Sequence, residues 1–240
     1  VATLDPVGIL TPAQRPTYTA AQVGAIATTA KGAANGVAGL DSGSRVPLAN
    51  LPDVAIPASF APADLGLKAW AFDPAVAIST TAFTGNASLR FTAVVLRQTT
   101  TVGKIVFQVG GYAGTMNAGS WSAIYDSTGA RKATTADMAG VAVIPGVHNA
   151  GGAAVSAALT ANVSLPAGLY YIAYTFRYSA SDGPMLLQLE NSAGAPPNVF
   201  GTPGVKRFGV YTATVPTSAP ATVTLTSIEN GANRFWAGLA

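Results

Sequence analysis

Three aspartates in polar loops, Asp126, Asp137 and Asp182, are the residues of this chain best placed for acid–base chemistry. Glycan hydrolysis needs two carboxylates at a fixed separation, one of them held protonated by burial. No second acid accompanies any of these three at a suitable spacing. His148 is the only histidine, its neighbours predict a loop, and no G-x-S-x-G motif is present, so a serine triad is not expected.

Metal and thiol chemistry lack ligands as well. The chain contains no cysteine, no histidine pair and no D-x-D-x-D-G calcium loop. We therefore predict no metal site, no cofactor and no enzymatic activity.

Binding is easier to support than catalysis, because aromatic side chains can stack on sugars while amides and carboxylates hydrogen-bond to their hydroxyl groups. The loop GGYAGTMNAGSW and other polar loops offer both kinds of side chain. The predicted ligand-binding residues are Tyr112, Asn117, Trp121, Asp182 and Asn191. An alternative remains open for Trp121: it shares a strand face with Tyr125, and both side chains would then belong to the core.

Composition limits the class of protein. Among 240 residues, 49% are apolar and only 10% are charged, which indicates a packed core and surfaces that self-association can bury. The formal charge of +3 comes from a small excess of cations and forms no basic patch, so nucleic acid is not an expected partner. No segment has the length or pattern of a membrane span or signal peptide. Because the chain begins at Val1, we expect it to be a fragment of a longer polypeptide, although processing would give the same start.

The first 69 residues are predicted to form a stalk. Residues 19–31, TAAQVGAIATTAK, have an N-cap threonine, an apolar stripe and a following Gly32, which predicts a short helix. Residues 32–69 are punctuated by glycine and proline and are predicted to be extended. The helix is too short to be stable alone, so we expect it to pack in a trimer or, alternatively, on the β domain.

Residues 70–240 change to a period of two and are predicted to form a β-sandwich of about ten strands, two packed sheets or a jelly roll. The predicted strands are Ala71–Ile78, Ser88–Gln98, Gly103–Tyr112, Ser120–Asp126, Ala153–Leu165, Leu169–Tyr178, Met185–Glu190, Arg207–Ala213, Ala221–Ser227 and Arg234–Leu239. Turn signals occur at Asp126–Gly129 and Glu229–Gly231, and helix is a weak option at 134–142.

The strand at 169–178 carries the clearest alternation. Its even positions place Tyr170, Ile172, Tyr174, Phe176 and Tyr178 on one face, which we predict to be core. Its odd positions, which include Tyr171, face the other side.

Certain motifs resemble a known family. The segment GVAGLDSGSRVPLANLP resembles the connector of actinobacteriophage minor tail proteins and tail fibres, which joins a helical stalk to a C-terminal β domain. The later segments GSWSAIYDSTGARKAT, AGLYYIAYTF and FWAGLA are similar to those β domains. The resemblance implies a homotrimeric virion protein of the phage tail. Its expected partners are its own copies, other tail proteins and a receptor on the host cell, such as an envelope glycan.

Two alternative functions stay open within that resemblance. The sandwich would serve only as a structural part of the tail tip, docking neighbouring virion proteins, or it would be a glycan depolymerase that uses the aspartates named above.

Overall fold

The structure is a computed structural model. It describes residues 17, 37, 39–40, 42–45, 60–77, 79–111, 116–139, 152–178, 183–191, 206–229 and 233–240. The chain divides into two compact units, Val1–Ala58 and Ser59–Ala240. Within the described ranges the protein is mainly β, and its helical residues are confined to the 3₁₀ segments Pro62–Leu65, Pro74–Val76 and Leu225–Ser227. The helix predicted at 19–31 lies outside the described residues.

The described residues of the second unit form thirteen strands. They are β1 (Ala69–Trp70), β2 (Ser79–Phe83), β3 (Leu89–Leu96), β4 (Thr100–Gly111), β5 (Trp121–Asp126), β6 (Arg131–Thr134), β7 (Ala153–Leu165), β8 (Gly168–Thr175), β9 (Met185–Asn191), β10 (Phe208–Tyr211), β11 (Ile228–Glu229), β12 (Asn233–Phe235) and β13 (Ala237–Leu239).

These strands form two antiparallel sheets. The seven-stranded sheet has the order β1-β13-β4-β9-β12, with β7 on the other edge of β4 and β2 paired to β9. The six-stranded sheet has the order β11-β10-β3-β8-β5-β6. Strands that follow each other in sequence often belong to different sheets. Most strand pairings therefore join residues that are distant in sequence, as in β-sandwiches generally.

The main core lies between the two sheets. The predicted face of β8 and the residues after it is confirmed as core, because Tyr170, Ile172, Tyr174, Phe176 and Tyr178 all belong to this cluster. Phe107 of β4 meets Tyr174 edge-on, with 5.2 Å between ring centroids. Such an aromatic contact adds roughly 0.5–1.5 kcal/mol beyond the area it buries.

A second core covers the opposite face of the six-stranded sheet. Residues 212–227, which we name the covering segment, cross that face. Ala219 and Val223 of this segment pack with Trp121, Tyr125 and Tyr171 of the sheet. Both faces of β8 are therefore buried, and its odd positions are core as well.

Several predicted strand bounds agree with the structure, and two predicted strands are wrong. Residues 71–78 contain the 3₁₀ segment Pro74–Val76, whose first turn is capped where the Asp73 carboxylate accepts a hydrogen bond from the Ala75 N–H. The prediction for 221–227 is also wrong, because this stretch joins a sheet partner only at the isolated bridge between Thr222 and Ala130 and then forms a 3₁₀ turn.

Strand β6 was not predicted, and the weak helical option at 134–142 does not hold for the described residues 134–139, which carry no helix. The extended prediction for 32–69 is wrong at two places. Residues 42–45 form a turn with Ser44 at a φ of 59°, and Pro62–Leu65 form a 3₁₀ segment ending at left-handed Gly66.

The two turn signals have different outcomes. Asp126–Gly129 forms the tight β5–β6 turn: the Gly129 N–H donates to the Asp126 carbonyl at 3.0 Å, and Gly129 has a φ of 86°. Residues 230 and 231 of the second signal lie outside the described residues. The strands on either side of it do not form a hairpin, because β11 pairs in the six-stranded sheet whereas β12 pairs in the seven-stranded sheet.

Candidate functional site

The predicted ligand-binding residues do not all fall in one place. Tyr112 and Asp182 lie outside the described residues. Asn191 ends β9 and aligns with Asn233 of β12 in the seven-stranded sheet. Asn117 and Trp121 lie together at one end of the six-stranded sheet, where β5 begins.

Trp121 is a core side chain in this structure. It is 2% exposed, packs in the second core, and its indole Nε1–H donates to the Pro216 carbonyl at 3.1 Å. Stacking on a sugar would require the covering segment to move away. The arrangement favours the alternative that the sequence left open for Trp121 and Tyr125.

Asn117 occupies an exposed turn that is fixed by its backbone. Its N–H donates to the Arg177 carbonyl at 2.7 Å, and the Ser120 hydroxyl donates to the Asn117 carbonyl at 2.9 Å. Arg177 in turn donates to the Val215 carbonyl of the covering segment at 2.8 Å. The exposed residue Asn117 is thus connected through Arg177 to the covering segment.

A polar cleft of about 240 Å³ opens near this turn. We name it the Asp137 cleft; its lining includes Arg131, Thr134, Asp137, Thr217 and Ser218, with Trp121 at its base. The Asp137 carboxylate accepts hydrogen bonds from the Gly119 N–H at 2.7 Å and from the Ala139 N–H at 2.9 Å. These bonds fix the carboxylate and the turn before Trp121 relative to each other.

The polar groups that line this cleft can form hydrogen bonds with a sugar. The cleft offers hydroxyl groups, a carboxylate and a guanidinium, which suit the hydroxyl groups of a sugar. Asp137 is the one carboxylate in its described lining, whereas glycan hydrolysis uses two.

The side chain of Asp126 stabilises the β5–β6 turn. Its carboxylate accepts from the Thr128 N–H at 2.8 Å and the Thr128 hydroxyl at 2.6 Å, and it forms an ion pair with Lys132 at 2.7 Å. Partial burial opposes ionisation, but the hydrogen bonds from Lys132, Thr128 and Ala130 outweigh it and lower the pKa of Asp126. The lowered pKa keeps this carboxyl group ionised at neutral pH, which is unfavourable for a general acid.

Sequence reasoning missed the covering segment. Its backbone carbonyls accept hydrogen bonds from side chains of the sheet: Tyr125 donates to Pro220 at 2.9 Å, and Arg131 donates to Ala219. The sequence signal that could have indicated this segment was the pair Pro216 and Pro220. Proline has no N–H and therefore disfavours an internal strand, but its carbonyl can still accept a hydrogen bond.

No protein-family model matches the chain, and no significant match is found among curated proteins. In the part of the chain that the structure describes, no helix is long and apolar enough to cross a membrane.

Proposed function

We propose that this protein is a minor tail component of a bacteriophage, and that its β domain is a jelly roll which binds a glycan on the host cell. The observation that carries the proposal is the strand order. The orders β1-β13-β4-β7 and β3-β8-β5-β6, all antiparallel, match the two four-stranded sheets of a jelly roll. Jelly rolls recur in viral and lectin domains, and the connector motif supports the phage assignment.

Self-association is part of the proposal. β7 is 13 residues long, and its exposed positions carry only Ala, Ser, Thr and Asn side chains. Lys104 is the single charged residue among β1, β4, β7 and β13. In the first unit, Val37 is 38% exposed and Leu40 is 56% exposed, so the connector carries apolar surface that further copies can bury.

This sheet face can supply part of such an interface. Its strands β7, β4, β13 and β1 contain 13, 12, 3 and 2 residues. At about 3.3 Å per residue and about 4.8 Å between strands, they cover roughly 480 Å² per subunit. Stable interfaces begin at about 600 Å² per partner, so the apolar surface of the connector has to supply the rest. A trimer presents three equivalent sites together, so each site can bind its glycan weakly while the trimer as a whole stays attached to the cell.

The oligomer is tested by light scattering coupled to gel filtration. A trimer has three times the 24.0 kDa mass of one chain. Ala158→Arg, which adds charge to the exposed face of β7, should reduce the assembly, while Gln98→Arg in the β3–β4 turn should leave it intact. A wild-type monomer at micromolar concentration contradicts the trimer.

Glycan binding is tested with the fluorescently labelled protein on actinobacterial cells and on glycans extracted from their envelopes. Asn117→Ala should weaken binding, as should Thr217→Phe, which fills the Asp137 cleft. Gln98→Ala is the matched control, an exposed amide at the opposite end of the six-stranded sheet. Absence of binding together with incorporation into assembled tails would favour the purely structural role.

A further inference from the structure

A second cleft lies at the other end of the six-stranded sheet. Its volume is about 310 Å³, within the range of small-molecule sites. Leu169, Leu225 and Ile228 form its apolar wall, and Ser127, Tyr171, Lys206 and Thr226 supply polar atoms. We name it the Tyr171 cleft. It lies where the 3₁₀ turn of the covering segment meets the start of β8 and the β5–β6 turn.

Tyr171 is the unusual member of this lining. Tyr171 is 4% exposed, and the described hydrogen bonds give its hydroxyl no protein partner. The hydroxyl oxygen is not among the fully buried atoms that lack a partner, so it is open to the cleft. Two nearby tyrosines differ: the Tyr170 hydroxyl donates to the Pro166 carbonyl at 3.0 Å, and the Tyr125 hydroxyl donates to Pro220. Burial raises the pKa of Tyr171, so the group is a neutral phenol that can donate and accept.

A hydroxyl that opens to a cleft can bond to water there, and a ligand that replaces this water takes over the bond. Because Tyr171 lines an open cleft, a molecule in that cleft can supply the missing partner. The hydroxyl groups of Ser127 and Thr226 lie on exposed residues of the same lining and add further donors and acceptors.

Lys206 decides the sign of the charge that the cleft accepts. Its ammonium donates to the Ile228 carbonyl, which occupies one of its three donors. No carboxylate is among the lining residues that the structure describes. A ligand carboxylate would receive a charge-assisted hydrogen bond there without competing with an acidic side chain.

We propose that the Tyr171 cleft binds one sugar unit that bears a carboxylate, a hexuronic acid residue of a glycan. The apolar wall takes the C–H face of the ring, Tyr171 hydrogen-bonds to a ring hydroxyl, and Lys206 pairs with the carboxylate. The inference deepens the proposed function and rests on it, since it names a sugar class that the β domain recognises. It places a binding site where the sequence predicted none.

The test is a titration of the purified full chain with glucuronate, and separately with glucose, followed by amide chemical shifts at low ionic strength. Glucuronate should shift amides around Leu169–Tyr171 and Leu225–Ile228 and should bind more tightly than glucose. Tyr171→Phe removes only the hydroxyl and should weaken glucuronate binding about three- to tenfold. Lys206→Met should weaken it about tenfold and abolish the preference over glucose.

Tyr170→Phe is the matched control, because it removes a hydroxyl from the adjacent residue of β8 that already has a backbone partner. Glucuronate binding by this variant should equal that of the wild type. Equal binding by Tyr171→Phe, shifts confined to other regions, or no binding by the wild type each overturn the inference. Binding to whole cells tests the proposed function separately: cell binding without glucuronate binding removes only the inference, and the reverse removes only the cell-surface role.

Discussion

The attachment of the covering segment to the six-stranded sheet can be tested with one hydroxyl group. Tyr125 is fully buried, and its hydroxyl donates to the Pro220 carbonyl at 2.9 Å. Tyr125→Phe keeps the ring in the second core and deletes only this bond. The bond connects residues 95 positions apart in sequence, so its loss should act on the tertiary contact and not on β5 itself.

The expected cost follows from the partner that is left behind. A typical intramolecular hydrogen bond contributes about 0.5–1.5 kcal/mol, and a buried acceptor left without a donor costs more. Pro220 is half-buried, so water can reach its carbonyl in part. We expect a destabilisation of about 1–1.5 kcal/mol, which lowers the Tm of a domain this size by about 2–6 °C.

Calorimetry and far-UV circular dichroism at fixed protein concentration measure the effect, since assembly makes Tm depend on concentration. Tyr211→Phe is the comparison: its hydroxyl accepts from the Thr224 N–H at a long 3.4 Å, so it should change stability by less than about 0.5 kcal/mol. If Tyr125→Phe melts with the wild type, or if Tyr211→Phe costs more, the account of how the segment is held is refuted.

Two further predictions concern the β5–β6 turn. Gly129→Ala should destabilise the protein by about 3 kcal/mol in urea unfolding, because a Cβ would lie 2.1 Å from the Val223 carbonyl oxygen at a φ of +86°. Gly66→Ala has a φ of +72° but nothing within 4 Å, so it should cost only about 1 kcal/mol, and equal losses would contradict the steric explanation. Asp126→Asn should lower Tm at pH 7, and this difference should begin to shrink as pH falls below the unfolded value of about 3.9 and should be lost as pH approaches the lower pKa that Asp126 has in the fold. A difference independent of pH would exclude the carboxylate as its cause.

Local patterns predicted much of the β domain. The alternation along β8 identified the main core, since side chains two apart share a face whatever the strand pairs with. The Asp126–Gly129 turn was readable because its geometry depends on two residues, an aspartate that accepts from the following N–H groups and a glycine at positive φ. Strand β6 was not predicted because Arg131 and Lys132 are exposed, so the strand shows no alternation of apolar and polar residues.

The sequence predicted the candidate sites only in part. The sequence indicated both Asn117 and Asp137 as candidates. It did not show that they lie close together, because Asp137 reaches the turn of Asn117 through a hydrogen bond from Gly119, 18 positions away in sequence. Tyr171 was assigned to the second face of β8 without a role, because its missing hydrogen-bond partner is visible only once its surroundings are known.

The sequence by itself determined that this chain is mainly β, where most long strands run and which side of β8 faces the main core. Only the tertiary structure decided that the opposite side is buried too, that Trp121 is enclosed, and that a cleft opens at each end of the covering segment. The physical reason is range: periodicity and turn chemistry act between near neighbours. The covering segment, in contrast, reaches β5 from 95 residues further along the chain through carbonyls that any residue type would supply.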